Sequence, residues 1–153
     1  MTEKMKIIDF LRENQLDAIF VQKDENCRYL SKFTGSDSYL LLTKEKLYLL
    51  TDSRYTEQAR KEAADYTVVD YKGHLAEIVA KLAGEYHIKT MGVETVFSYQ
   101  MYLSFHEYMP NIEFRFSQID RLRQIKSEEE IAMIAQAEKI GDLAFEHILG
   151  YIK

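Results

Sequence analysis

The apolar positions of the chain switch repeatedly between a helical and an extended period. Met5, Ile8 and Leu11 recur at helical spacing behind Thr2, a residue that can cap a first helix ending near Asn14. Residues 18–21 are a continuous apolar run, the pattern of a strand covered on both faces. Residues 26–30 suit a brief helical turn, and Gly35-Ser36-Asp37-Ser38 suits a turn. Two apolar runs, 39–42 and 47–50, flank Thr43-Lys44-Glu45-Lys46 and predict a β-hairpin whose charged turn stays in water. Asp52 or Ser53 is then placed to cap a helix running to about Ala64, with Tyr55, Ala59 and Ala63 on one face.

The second half continues the alternation. Residues 67–71 are a β-branched strand. Leu75, Ile78, Val79 and Leu82 form an amphipathic helix expected to stop at Gly84 in a left-handed conformation. Residues 90–93 read as a strand. Ser98 can cap a helix presenting Met101, Tyr102, Phe105 and Met109, ended by Pro110 and Asn111. Residues 113–116 alternate polar and aromatic side chains, as in a strand with one exposed face. About six strands interleaved with four or five helices predict an α/β sandwich, and the hairpin makes its sheet mixed.

The last segment differs in kind. Ser127 with Glu130 forms a capping box, and Glu128 to Glu130 sit favourably at a positive helix N-terminus. Ile131, Ile134, Ala135, Ala137, Ile140, Ala144, Phe145 and Ile148 then give a broad apolar face on a helix of about twenty residues. Such a helix is expected to pack back on the domain or on something beyond it.

Composition narrows the function classes. With 153 residues, 46% apolar and 29% charged, the chain has the make-up of one globular domain. Its net charge of −5 is spread over mixed signs, with no basic stripe to neutralise phosphates, so nucleic acid is not an expected partner. The apolar runs within the strands are far too short to span a bilayer, and no secretory leader pattern is present. A single cysteine, Cys27, offers no disulfide framework; together these features lead us to expect a cytoplasmic protein.

Candidate chemistry is sparse. His74, His87, His106 and His147 fall on four separate segments, and His106-Glu107 is followed by Tyr108-Met109-Pro110-Asn111, which does not complete His-Glu-x-x-His. No metal site and no catalytic residue is therefore expected in this chain. Cys27 reads as a buried structural thiol, and Glu128 to Glu130 as helix-terminus electrostatics. No glycine-rich phosphate loop occurs.

Three blocks carry a resemblance. Asn26-Cys27-Arg28-Tyr29-Leu30-Ser31-Lys32-Phe33-Thr34-Gly35-Ser36 is similar to the Asn-x-x-Tyr-Leu-Thr-Gly-Phe-x-Gly-Ser stretch of the creatinase/prolidase-type N-terminal domain. Thr51-Asp52-Ser53-Arg54-Tyr55, with Gln58-Ala59, resembles its Thr-Asp-x-Arg-Tyr-x-x-Gln-Ala signature, and residues 121–131 resemble the entry into that family's catalytic domain. Lys32 and Ser38 stand where the family commonly has glycine, so either would carry modest strain if its φ were positive.

The resemblance implies a six-stranded mixed β-sheet flanked by helices over residues 1–122, plus a C-terminal helix at 123–153 that opens a "pita-bread" catalytic domain. The parent would be an Xaa-Pro dipeptidase or aminopeptidase P, a hydrolase acting on proline-containing peptides with two divalent metal ions, manganese in many members. The ligand set of two Asp, one His and two Glu is not in this chain, so it is expected to be inactive alone and to be a shortened form of a longer protein. Its own part would be to support a homo-oligomer and to narrow access to the active site. Arg54 resembles the family arginine that can reach a peptide substrate, by paired donors to a carboxylate or carbonyl. The competing reading of Arg54 is a surface ion pair with Asp52 or Glu57, worth only ~0–1 kcal/mol. Tyr55 and Phe33 read as packing residues. Two other parents fit the resemblance: a binding module that has lost catalysis, and a creatinase-type amidinohydrolase.

Overall fold

The computed structural model describes residues 3–152. The capping role expected of Thr2 lies outside the described residues. The chain divides into two compact units, Met1–Asp120 and Arg121–Lys153.

The first unit is built on six strands: β1 (Ala18–Val21), β2 (Ser38–Thr43), β3 (Leu47–Thr51), β4 (Thr67–Asp70), β5 (Thr90–Val93) and β6 (Glu113–Phe116). They form one sheet in the order β4-β3-β2-β1-β5-β6. The hairpin expected from the charged turn pairs β2 with β3, Leu40 opposite Leu49 and Leu42 opposite Leu47. β1 runs antiparallel to β2 and parallel to β5. The β3/β4 and β5/β6 pairs are also parallel. Five strands therefore point one way, and β2 alone is reversed.

Five helices complete this unit: α1 (Glu3–Glu13), α2 (Asp24–Ser31), α3 (Thr56–Glu62), α4 (Leu75–Glu85) and α5 (Tyr99–Tyr108). Every residue of β1 and β3 is buried, because helices cover both faces, as continuous apolar runs require. On one face Phe20, Leu41, Leu50 and Met91 pack with Val79 and Leu82 of α4 and with Phe105 of α5. Successive strand residues point to opposite faces, so Ile19, Leu40, Leu42 and Leu49, all fully buried, belong to the other layer. There α1 and α2 lie against β2. Phe20 is the pivot of an aromatic cluster, stacked on Tyr39 at 5.5 Å and edge-on to Phe105 at 5.0 Å.

Several helix ends differ from the sequence expectation, for local reasons. α3 starts at Thr56, and its N-cap Tyr55 makes no side-chain cap bond, so neither Asp52 nor Ser53 caps it. The Asp52 carboxylate is already committed to the N–H and guanidinium of Arg54, and residues 52–55 close a turn through Tyr55 N to Asp52 O at 3.2 Å. Gly84 lies inside α4, and the left-handed residue is His87, with φ 51°. The helix runs one residue past the glycine and is closed by Ile88 N to Ala83 O at 3.1 Å. The short turn expected at 26–30 is a full helix, α2, starting two residues earlier. Ser98 caps α5 as expected, accepting from Met101 N at 3.1 Å.

The second unit holds the end of a 3-10 turn (Ile119–Arg123) and α6 (Glu128–Leu149). Ser127 forms the expected capping box: its N–H donates to Glu130 Oε2 at 2.8 Å and its Oγ accepts from Glu130 N at 3.3 Å. No residue of α6 is buried, and Ile131, Ile134, Ile140, Phe145 and Ile148 are each at least half exposed.

Candidate functional site

The strand directions collect the polar chemistry of the first unit on one edge of the sheet. β1, β3, β4, β5 and β6 all end there, and β2 begins there. In open α/β sheets this carboxyl edge is where ligands bind. The residues just past those ends are Gln22 and Lys23, Asp52 and Arg54, Tyr71, Glu94 and Asp120, with Asp37 just before β2. They form two groups.

The first group surrounds Arg54. Its Nε donates to Asp52 Oδ1 at 3.1 Å and Oδ2 at 3.0 Å, and its Nη2 donates to Asp52 Oδ2 and, at 3.2 Å, to Asp37 Oδ2. The guanidinium lies 5.4 Å from the centre of the Tyr55 ring. Its hydrogen bonds to Arg54 hold the Asp52 carboxyl below the usual carboxylate range, and the same pairing pushes the guanidinium further up. The Arg54 side chain is 67% exposed, so this is a solvent-screened cluster. Of the two ion partners considered from sequence, Asp52 is right and Glu57 is not; Glu57 pairs instead with Lys61 at 2.8 Å.

The loop carrying Asp37 is fixed from beneath. Lys32 ends α2 with φ 63°, so the strain anticipated there is real. Ser38 starts β2, and the positive φ falls on its neighbour Asp37 at 52°. Gly35 lies so close to the Phe33 ring that a Cβ would come within 2.3 Å of it. Phe33 is buried, as expected of a packing residue, and meets Tyr55 edge-on at 6.3 Å. Tyr55 is only half-buried, and its hydroxyl lies 3.1 Å from Ser36 Oγ. Burial raises the Tyr71 phenol, with Asp52 and Asp37 adding to the effect.

The second group was not anticipated from sequence. Glu94, 3% exposed at the end of β5, accepts from Gln22 N at 2.6 Å, Lys23 N at 2.8 Å and Asn26 Nδ2 at 2.5 Å. Asn26 Nδ2 also donates to Asp120 Oδ1 at 2.8 Å, and Lys23 Nζ reaches Asp120 Oδ2 at 3.1 Å. This knot ties α2 to the ends of β1 and β5 and to the 3-10 turn. The only sequence signal is Asn26, which opens the first of the three blocks; Glu94 follows an apolar strand with nothing to mark it as buried.

The remaining candidates stay apart. Cys27 is buried, its Sγ 3.6 Å from Val21 O and from Ser38 O, and burial pushes its thiol far up, the state of an inert structural cysteine. His106 stacks on Tyr102 at 5.5 Å and His147 lies 5.1 Å from Tyr151. Among the described residues no three of His, Cys, Asp or Glu gather as a metal would require. Nor is any helix among them long and apolar enough to cross a membrane.

Residues 5–125 match the family described as the Creatinase/Prolidase N-terminal domain. This chain belongs to that family. An Xaa-Pro dipeptidase from Pyrococcus horikoshii is 33% identical over 150 residues, covering 94% of this chain and 41% of that protein. A protein described as uncharacterized peptidase YqhT, from Bacillus subtilis, is 34% identical over 145 residues, 90% of this chain and 40% of its own length. Among solved structures, an Xaa-Pro dipeptidase from Bacillus anthracis superposes with a TM-score of 0.88 at 34% identity, over 98% of this chain and 44% of that one. The chain thus spans about two fifths of the curated relatives it matches. As a creatinase/prolidase N-terminal domain it has the mixed six-stranded sheet with flanking helices, and a C-terminal helix, that its sequence blocks implied.

Proposed function

We propose that this chain is the accessory N-terminal domain of an Xaa-Pro peptidase, a hydrolase, and that residues 123–153 open the catalytic domain. The observation that carries the reading is the exposed apolar face of α6 in a chain whose relatives are more than twice as long. Burying a side chain of the Ile or Phe class contributes about 1.5–3 kcal/mol. A helix with five such residues exposed is therefore matched to further protein rather than to water. The superposition on the Bacillus anthracis dipeptidase extends over nearly the whole chain, and this supports a common context for the helix.

The family's chemistry rests on two divalent cations that polarise the scissile carbonyl and activate water. The residues of this chain do not fit such a centre, since no acidic or histidine cluster forms among the described residues. The ligands belong to the catalytic domain, and no reaction step is assigned here. What this domain contributes is a wall at the carboxyl edge of its sheet, with Arg54 facing the substrate, within a cytoplasmic homo-oligomer. The test is kcat/KM for an Xaa-Pro peptide in the longer protein carrying Arg54→Ala. A loss of tenfold or more, about 1.4 kcal/mol of transition-state binding, is expected. An unchanged value removes the substrate role.

A further inference from the structure

β6 is an edge of the sheet, bonded to β5 on one side only. Glu113 N donates to Lys89 O and Ser117 N to Val93 O, both at 2.8 Å, so residues 113, 115 and 117 turn their backbone groups inward. The backbone groups of Phe114 and Phe116 then face outward, with no partner strand among the described residues. The strand has no proline and no lysine, and its pairing with β5 runs without a bulge, so these common guards of an edge are missing.

Its side chains divide by face. Phe114 packs into the layer of α5, 5.8 Å from the Tyr102 ring, and Phe116 shares that face but is 59% exposed. Glu113 and Arg115 share the opposite face, where Arg115 Nε and Nη2 each donate to the Glu113 carboxylate at 2.8 Å. The edge therefore carries one charge of each sign, two residues apart, and an exposed aromatic ring on its other side.

We propose that β6 docks against β6 of a second copy of this chain, antiparallel about a two-fold axis through Phe114, joining the two sheets into one. This rests on the homo-oligomeric reading and names the surface involved. An antiparallel pair exchanges bonds between residues that both face outward, so even-numbered residues of one strand must oppose even-numbered residues of the other. With Phe114 opposite Phe114 of the second copy, both of its backbone groups are satisfied. Phe116 N–H then meets Ile112 O of the second copy, and the Phe116 ring covers that isoleucine. Ile112 N needs no partner there, because it already donates to Met109 O at 3.2 Å. On the other face Glu113 lies opposite Arg115 of the second copy, and symmetry repeats the pair. A slide of two residues either way sets Arg115 against Arg115 or Glu113 against Glu113. The charges thus select one register, and the partner they fit is this same strand reversed.

The experiment follows self-association of this chain by sedimentation over a concentration series, beside two variants, Glu113→Arg and Arg115→Glu. The parent chain is expected to dimerise. Each variant alone sets like charges opposite each other at two places and should dimerise about five- to thirtyfold more weakly. An equimolar mixture of the two variants sets Arg against Glu at both places and should form a mixed dimer at least as tight as the parent. Association through the exposed apolar face of α6 would not respond to these charges. Both substitutions fall on exposed side chains, and circular dichroism of each variant checks that the fold is kept. A monomeric parent, variants that associate as the parent does, or a mixture no tighter than its components would overturn the proposal. If the longer protein is an oligomer that ignores both substitutions, this surface is wrong and the homo-oligomeric reading stands. If the longer protein is a monomer, that reading falls as well.

Discussion

Replacing Glu94 by glutamine exchanges one oxygen for an NH2 group at a site 3% exposed, with three donors aimed at it. Oε2 accepts both backbone N–H groups of Gln22 and Lys23, and Oε1 accepts Asn26 Nδ2. If the new carbonyl oxygen keeps the two backbone donors, the new NH2 faces Asn26 Nδ2, donor against donor. Asn26 cannot relieve this by turning its amide over, because its oxygen would then face Asp120 Oδ1, now 2.8 Å from Nδ2. Three charge-assisted bonds at about 1.5–3 kcal/mol become at most two neutral ones at about 0.5–1.5. The expected loss is about 3.5–6 kcal/mol, a large share of the ~5–15 kcal/mol that holds an ordinary domain together. Urea unfolding followed by circular dichroism should show a lower midpoint at unchanged m-value. A double-mutant cycle with Asn26→Ala should give a coupling of at least about 1 kcal/mol, as neighbours in one network do. A loss below about 0.5 kcal/mol would show that the knot is decorative, because changes of that size are ordinary for surface sites.

Three further outcomes follow from the same geometry. Lys32→Gly should stabilise by about 0.5–1 kcal/mol, since φ 63° costs a side chain and not a glycine, and calorimetry should register a rise of about 2–4 °C. Ser38→Gly should instead destabilise by a similar amount, because Ser38 is a buried strand residue where glycine only adds chain entropy; a gain there would contradict the assignment of the positive φ to Asp37. Asp17→Ala should cost about 1 kcal/mol at neutral pH by removing the acceptor for Lys89 N, Thr90 N and Thr90 Oγ1. Burial raises the Asp17 carboxyl, but these bonds and Lys44 outweigh it and leave it below its ordinary 3.8. A depressed folded value means the stabilisation is complete above the unfolded value and lost as pH falls through the folded one. The gap between parent and variant should therefore be constant above about pH 5 and close below about pH 4 in acid-unfolding curves. A gap that widened in acid would reverse the sign.

Much of the fold was legible because its signals are local and consistent. β1, β5 and β6 fall on the predicted runs, since a short apolar or alternating segment between polar turns has few other ways to bury itself. Ser98 and Ser127 cap as predicted because no competing group claims their side chains. Asp52 did not cap because a better partner, Arg54, stands two residues on. Gly84 did not end α4 because the left-handed residue is His87, and the chain closes after it through Ile88 N to Ala83 O. The Arg54 cluster was half legible: Asp52 is adjacent in sequence, while Asp37 is brought in only by the β2/β3 hairpin. Glu94 was invisible for the same reason. Its three donors come from residues about seventy positions earlier, and only the parallel β1/β5 pairing sets them opposite one another.

The central claim is that this domain belongs to an Xaa-Pro peptidase but does not itself cut the bond. It is tested most directly by assaying the purified chain on an Xaa-Pro dipeptide with added manganese, beside the Pyrococcus horikoshii dipeptidase as the active relative. The chain should give no turnover above buffer while the relative hydrolyses the substrate. Robust, metal-dependent turnover by the chain alone would contradict the account.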